Sequence, residues 1–321
     1  MMSLTKAYSF FNTSKQWFGG CGLNRLSLIF IIGIFFNACS PRQYLLNYMM
    51  GSMSGLGDMY MTEGDLELVR ESLPATLKIM EAVIQQSPDN EKLLLSAVQG
   101  FTLYAYAFVQ QDAERIFNND YQKSLRLRKR AHNLFKRAKG YAFKAWEVKY
   151  PGFIGRYYKN PEETLKQVKR EDVPLLYWTA AAWGGAISNA KSEPAVVIDL
   201  PHVGYFLERA LALNGSYDNG SIHELMISYS LVRPNAGKDA LEIAKKYFKQ
   251  AEELAKGSKA SVFVSFAENI CVLKQNREEF ISNLDRALSI DIDAYPSLRL
   301  VNAIAQDRAK WLKEQVDDLF F

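Results

Sequence analysis

The chain is 321 residues long, 48% hydrophobic and 23% charged, with 39 Lys and Arg against 35 Asp and Glu. This composition excludes a disordered chain and a bundle of membrane spans, and it is that of a globular protein able to bury a sizeable core. Residues 1–38 carry three of the basic residues and none of the acidic ones, so the remainder is close to neutral and bulk affinity for nucleic acid is not expected.

Residues 1–38 read as an export signal. Lys6, Lys15 and Arg25 are its charges, and Leu26 to Phe36 is an apolar stretch too short for the ~20 residues that a spanning helix needs. Phe36-Asn37-Ala38-Cys39 then sets a small residue directly before a cysteine, as a lipobox does. Cys39 is therefore the expected lipidation site and the first residue of the mature chain, although Phe36 and Asn37 stand where Leu and a small residue are usual. Ser40 follows rather than Asp, the pattern of lipoproteins that pass to the outer membrane. With Cys39 acylated the mature chain keeps only Cys271, which excludes an intramolecular disulfide. Between Ile270 and Val272 that thiol reads as a packing residue.

Residues 39–64, rich in Gly, Ser and Met, are expected to form a lipidated flexible tether. Residues 65–321 are expected to form one helical domain, punctuated by Ser87-Pro88-Asp89-Asn90, Pro151-Gly152, Asn214-Gly215, Arg233-Pro234, Gly257-Ser258 and Pro296. No strand alternation is found. The clearest predicted helix runs from Tyr121 to Lys149, with Leu127, Ala131, Leu134, Phe135, Ala138 and Ala142 on one stripe. It carries ten basic residues against the single acid Glu147. Arg126, Lys129 and Arg130 are candidates for docking an acidic partner, with a solvated face or anionic headgroups as the other readings.

A triplet of large apolar, Ala, large apolar recurs as Phe135-Ala138-Tyr141, Leu207-Ala210-Leu213, Phe248-Ala251-Leu254 and Leu284-Ala287-Ile290. Its spacing is a multiple of roughly 36, or close to it, which is the period of stacked helix pairs and predicts an all-α, tetratricopeptide-like array. Between them lies Val173 to Ala190, VPLLYWTAAAWGGAISNA, with no charge at all. Asp172 is placed to cap it and Pro174 suits its first turn. Its small residues allow close helix contact, while Trp178 and Trp183 point about 140° apart and cannot share a face. Asp172, Tyr177, Trp178, Ala181 and Trp183 are candidates to line an aromatic ligand cavity; plain core is the alternative.

Enzymatic constellations are missing. His132, His202 and His223 are isolated, and no HExxH, paired CxxC, phosphate-binding loop or GxSxG elbow occurs. Neither a catalytic residue nor a metal or other cofactor is expected.

The order of motifs resembles the T-component family of TRAP-type solute transporters. The resemblance rests on Asp172 to Gly184, Ile198 to Pro201, Gly220-Ser221-Ile222-His223-Glu224, Arg233-Pro234, Ala267-Glu268, Gln275-Asn276-Arg277 with Phe280, Gln306 to Leu312 and Asp317 to Phe320. It implies a periplasm-facing, lipid-anchored, non-enzymatic accessory protein that binds the periplasmic solute-binding protein and passes an apolar ligand through a helical cavity. It also implies a homo-oligomer, such as a trimeric ring. A lipoprotein scaffold for envelope assembly is the alternative expectation.

Overall fold

A computed structural model describes residues 56–320, and these are all helix and connection, without a strand. Residues 1–55, with Cys39, lie outside the described part. In chain order the helices are α1 (Leu56–Met61), α2 (Leu66–Gln86), α3 (Glu91–Arg115), α4 (Tyr121–Lys149), α5 (Phe153–Lys159), α6 (Pro161–Lys166), α7 (Val173–Ser188) and α8 (Pro194–Val197). They continue as α9 (Leu200–Asn214), α10 (Ser221–Val232), α11 (Ala240–Ala255), α12 (Ala260–Phe266, continuing through Lys274), α13 (Arg277–Leu288), α14 (Arg299–Glu314) and α15 (Val316–Leu319).

The boundaries follow local chemistry. Asp65, Asn90, Asp120 and Asn276 accept bonds from the backbone N–H groups that open α2, α3, α4 and α13. Pro151-Gly152 separates α4 from α5 with Gly152 at φ 76. At the start of α10, Gly220 has φ 91, and a Cβ there would lie 3.1 Å from Leu254 and 3.2 Å from Ala251. Only glycine supports that backbone against α11.

The pairs α3/α4, α7/α9, α10/α11 and α12/α13 pack against each other, and α14 covers the last pair. The four recurring alanines Ala138, Ala210, Ala251 and Ala287 fall on the second helix of these four pairs, and all are fully buried. A small side chain there brings the axes together, and the large residues on either side fill the groove. Gly185 of α7 makes the closest approach, since a Cβ would lie 2.4 Å from the Phe135 ring of α4. The α3 helix is long and apolar enough to cross a membrane, but 61% of its most apolar window is buried in the protein, so it is core.

The array also returns on itself, because α14 packs against α1, α2 and the end of α3. Arg299 donates to the Thr62 carbonyl at 3.0 Å and Arg115 to Asp307 at 2.5 Å. Leu56–Met61 is helical because Tyr60 is buried and its hydroxyl bonds Thr76 at 2.8 Å, within the stretch read from sequence as linker.

Several sequence motifs prove to be pins of this architecture. Arg277 pairs with Asp317 at 2.7 Å and Phe280 packs edge-on against Phe320, which seats the C-terminal turn on α13. Gln306 donates to the carbonyls of Ala287, Leu288 and Ile290, closing the end of α13. Buried Cys271 has its thiol pushed up to about 12 by burial, as an inert packing residue should.

Candidate functional site

The uncharged helix α7 has two different faces. Leu176, Thr179, Ala180, Trp183 and Ile187 are buried, whereas Tyr177, Trp178, Ala181, Gly184 and Ser188 form a partly open stripe. Tyr177, Trp178 and Ala181 therefore share an accessible surface. Trp183 is not on it: its indole N–H donates to Asp199 at 3.0 Å, His202 stacks on it at 4.7 Å, and the Lys139 ammonium lies 4.2 Å above the ring. Asp199, from the Ile198 to Pro201 motif, is thus a partner of Trp183 and Lys139.

Asp172 also departs from its expected place. Its carboxylate accepts from the Lys169 N–H at 2.9 Å and from the Tyr150 hydroxyl at 2.5 Å, and it pairs with Lys149. It makes no capping bond to α7. A buried carboxylate takes charged and hydroxyl donors before a helix end, because they repay more of its desolvation. Asp172 therefore ties α4 to the start of α7.

Two residues that sequence reasoning did not single out as site residues sit on irregular turns of α3 and α12. The helical ladder of α3 widens into a π turn at Ala105–Gln110, and that of α12 does so at Ala267–Cys271. Such turns shift the side-chain register locally and concentrate at functional positions. The first turn carries Tyr106 and the second Glu268. Tyr106 keeps 41% of its surface open. Yet burial is the main reason its phenol is held above the ordinary value, followed by the Glu268 charge, with Arg308 and Glu224 also felt. Tyr106 thus lies in the field of charges from α3, α10, α12 and α14. Tyr177 is raised in the same way, by burial first and then by Glu224.

Around this inner face the charges are paired across helices. Arg308 of α14 reaches Glu114 of α3 at 2.6 Å and Glu268 of α12 at 2.9 Å, and its guanidinium lies 4.4 Å from the Trp311 ring. Burial still raises the Glu268 pKa against the opposing pull of Arg308. Deeper in, the buried Lys259 ammonium contacts Ser221, the Asp218 carbonyl and, at 3.5 Å, Glu224. Ser261 donates to Glu224 at 2.9 Å, and Asn189 donates to Gln110 at 2.8 Å. The face thus offers aromatic rings, hydroxyls and carboxylates together. Among the described residues no group of three or more potential metal ligands comes together. His132 bonds the Ala186 carbonyl, His202 packs on Trp183 and His223 is buried, each in a separate place.

The second candidate surface is the outer side of α4. Arg126, Lys129 and Arg130 are all exposed, and Arg130 leans over Tyr104 at 5.8 Å from its ring. The α4 cations that find a carboxylate are Arg137, Lys139 and Lys149. Lys123, Arg126, Arg128, Lys129, Arg130 and Lys136 have none within 4.0 Å among the described residues.

With this geometry in hand, comparison with known proteins gives one decisive match: the model of the TRAP transporter T-component covers residues 62–320. The chain belongs to the TRAP transporter T-component family. A protein of Treponema pallidum, described only as uncharacterized, is 30% identical over 266 residues, spanning 82% of both chains. Membership in the T-component family makes the chain an accessory component of a TRAP transporter, associated with the cell envelope. The matched span begins inside the turn after α1 and ends at Phe320, so it takes in both π turns, the α7 stripe and the basic face of α4.

Proposed function

We propose that this T-component is a tetratricopeptide-like, non-enzymatic lipoprotein, anchored through Cys39 and facing the periplasm, most simply from the outer membrane. It binds the periplasmic solute-binding protein of its transporter and passes solute across the inner face of its helical array. The observation that carries this reading is that Tyr106 and Tyr177, from two helices, both feel Glu224, with Glu268 acting on Tyr106 and Trp178 packed against Tyr177. Aromatic rings take the apolar part of a solute, and the nearby hydroxyls and carboxylates orient whatever polar group it carries. A homo-oligomer, such as a trimeric ring, would set several such faces side by side.

The partner side of this proposal rests on α4. Charges at the rim of an interface act mainly through long-range attraction, so an acidic partner would be steered by Arg126, Lys129 and Arg130. Reversing these three to Glu is expected to weaken association with the solute-binding protein by roughly tenfold or more and to flatten its salt dependence. The fold should hold, because all three side chains are exposed. Equal affinity of the reversed and parent proteins in calorimetric titration would remove α4 as the docking face.

The solute side is tested at Ala181. Phenylalanine there would project from the open stripe between Tyr177 and Ser188, and solute uptake is expected to fall while binding of the solute-binding protein persists. A melting curve must accompany the assay, since overpacking costs about 1 to 3 kcal/mol. Undiminished uptake by a stably folded Ala181→Phe protein would leave the T-component as a scaffold. Anchoring is tested separately: Cys39→Ser should abolish labelling by a fatty-acid analogue, and normal labelling would reject Cys39 as the acceptor.

A further inference from the structure

The turn between α3 and α4 and the first turns of α4 carry side chains that a water-facing surface does not call for. Phe117 is 44% exposed, Tyr121 53% and Leu125 41%. Phe117 and Tyr121 meet edge-on at 5.5 Å, and the Arg128 guanidinium stands 5.9 Å from the Phe117 ring. Tyr121, Leu125 and Arg128 fall on one side of α4 by their spacing. Lys129, Arg126 and Lys123 follow further round the helix, and none of these cations has a carboxylate partner among the described residues. The one acid of this turn, Asp120, is exposed and caps α4, accepting the Lys123 N–H at 2.8 Å.

The same end of the domain receives the chain from the N-terminal side. Arg70, in the first turns of α2, pairs with Asp112, in the last turns of α3, at 2.7 Å. Leu68, two residues before Arg70, and Met59 of α1 are exposed as well. An apolar cluster rimmed by unpaired cations thus sits near the point where the described chain begins.

We propose that this end of the domain is a bilayer-contact surface, in which Phe117, Tyr121 and Leu125 enter the headgroup layer while Lys123 and Arg128 meet anionic lipid phosphates, leaving Arg126, Lys129 and Arg130 to the protein partner. The proposal rests on the Cys39 anchor, because that anchor fixes what the surface can reach. Sixteen residues, 40–55, separate Cys39 from Leu56. Fully extended they span at most about 55 Å. A domain held so close meets the bilayer at high effective concentration, and a small patch then suffices to orient it. Aromatic and Leu side chains beside Lys and Arg are suited to this layer, where rings take the acyl boundary and cations the phosphates. An acidic protein would fit the cations, but it gives no reason for three large apolar side chains to be presented together at the tethered end.

The test uses the full-length protein on phosphatidylcholine vesicles with and without phosphatidylglycerol. Leu125→Cys is labelled with a water-soluble maleimide, and Lys249→Cys on α11 serves as the distant control. Labelling of Leu125→Cys is expected to slow by roughly tenfold on the anionic vesicles, with Lys249→Cys unchanged, and to recover when Lys123 and Arg128 are reversed to Glu. Equal rates on both vesicles would overturn the proposal. So would protection that appears only when the solute-binding protein is added, which would assign the tip to that protein instead. Flotation on phosphatidylcholine vesicles alone scores the anchor independently: a protein that does not float there but is protected by added anionic vesicles rejects Cys39 and keeps the surface.

Discussion

Arg308→Leu is expected to destabilise the protein by about 3 kcal/mol, because it leaves Glu114 and Glu268 facing each other without the cation that joins them. The loss concerns more than one ion pair. Arg308 connects α14 to α3 and α12, and its neighbour Asp307 holds Arg115 of α3, so the contact that returns the array on itself runs through two successive residues. Adding Glu114→Gln and Glu268→Gln to the Arg308→Leu protein should recover part of the deficit, since amides remove the repulsion. The pH dependence has a definite sign. Burial, opposed by Arg308, leaves the Glu268 pKa above its ordinary value of 4.5. The stability linked to its protonation is therefore present in full below 4.5 and lost as pH rises through the raised value. Without Arg308 that rise is larger, so the deficit should narrow as pH falls from about 7 to about 5. Urea titrations at several pH values measure this, and a deficit that widens on acidification would contradict the assignment.

Trp146→Ala should have an effect of similar size, about 4 kcal/mol, or a melting point lower by roughly 10 °C. Trp146 is fully buried between α4, α5, α7 and α9, stacked on Phe153 at 4.9 Å and 6.0 Å from Phe206. Its indole N–H donates to the Thr179 hydroxyl at 3.0 Å, and that hydroxyl in turn donates to the Leu175 carbonyl at 2.6 Å. Trp146→Phe keeps most of the packing and loses only this bond, so it should cost about 1 kcal/mol. A thermal melt in which the two variants fall equally would mean that the hydrogen bond, and not the ring stack, dominates the site.

The contrast between α4 and the inner face shows what the sequence makes legible. The Tyr121 to Lys149 helix was readable to its ends because its apolar stripe repeats at helical spacing and Asp120 caps it. The four alanine triplets marked the second helix of each pair for the same reason: a fully buried small residue is a local requirement that one helix can express. Tyr177, Trp178 and Ala181 were found because an uncharged run stands out. The stripe they form was not, since which side of an all-apolar helix stays open depends on its neighbours. Trp183 shows the limit, as its burial follows from Asp199, Lys139 and His202, which arrive from two other helices. Tyr106 and Glu268 were missed altogether. A π turn has no side-chain pattern of its own, and the only trace was Ala267-Glu268 among the motifs of the family resemblance.

The return of α14 onto α1 and the end of α3 changes how such a chain comes apart. Stacked helix pairs in an open array share neighbours on one side only at each terminus, and those end units fray before the middle does. Here the Thr62 carbonyl is held by Arg299 and Arg115 by Asp307, across sequence separations of 237 and 192 residues. Neither terminus of the described domain is then an end in the mechanical sense, and amide exchange in α1 and α14 should share one opening event. The same separations give the domain long loops to close before its first helices are fully covered, which slows folding relative to arrays built from local contacts alone. Until α14 is in place, the apolar side of Tyr60 and the carboxylate of Glu114 have no partner from the far end of the chain, so a truncation near residue 299 would be felt first some two hundred residues away.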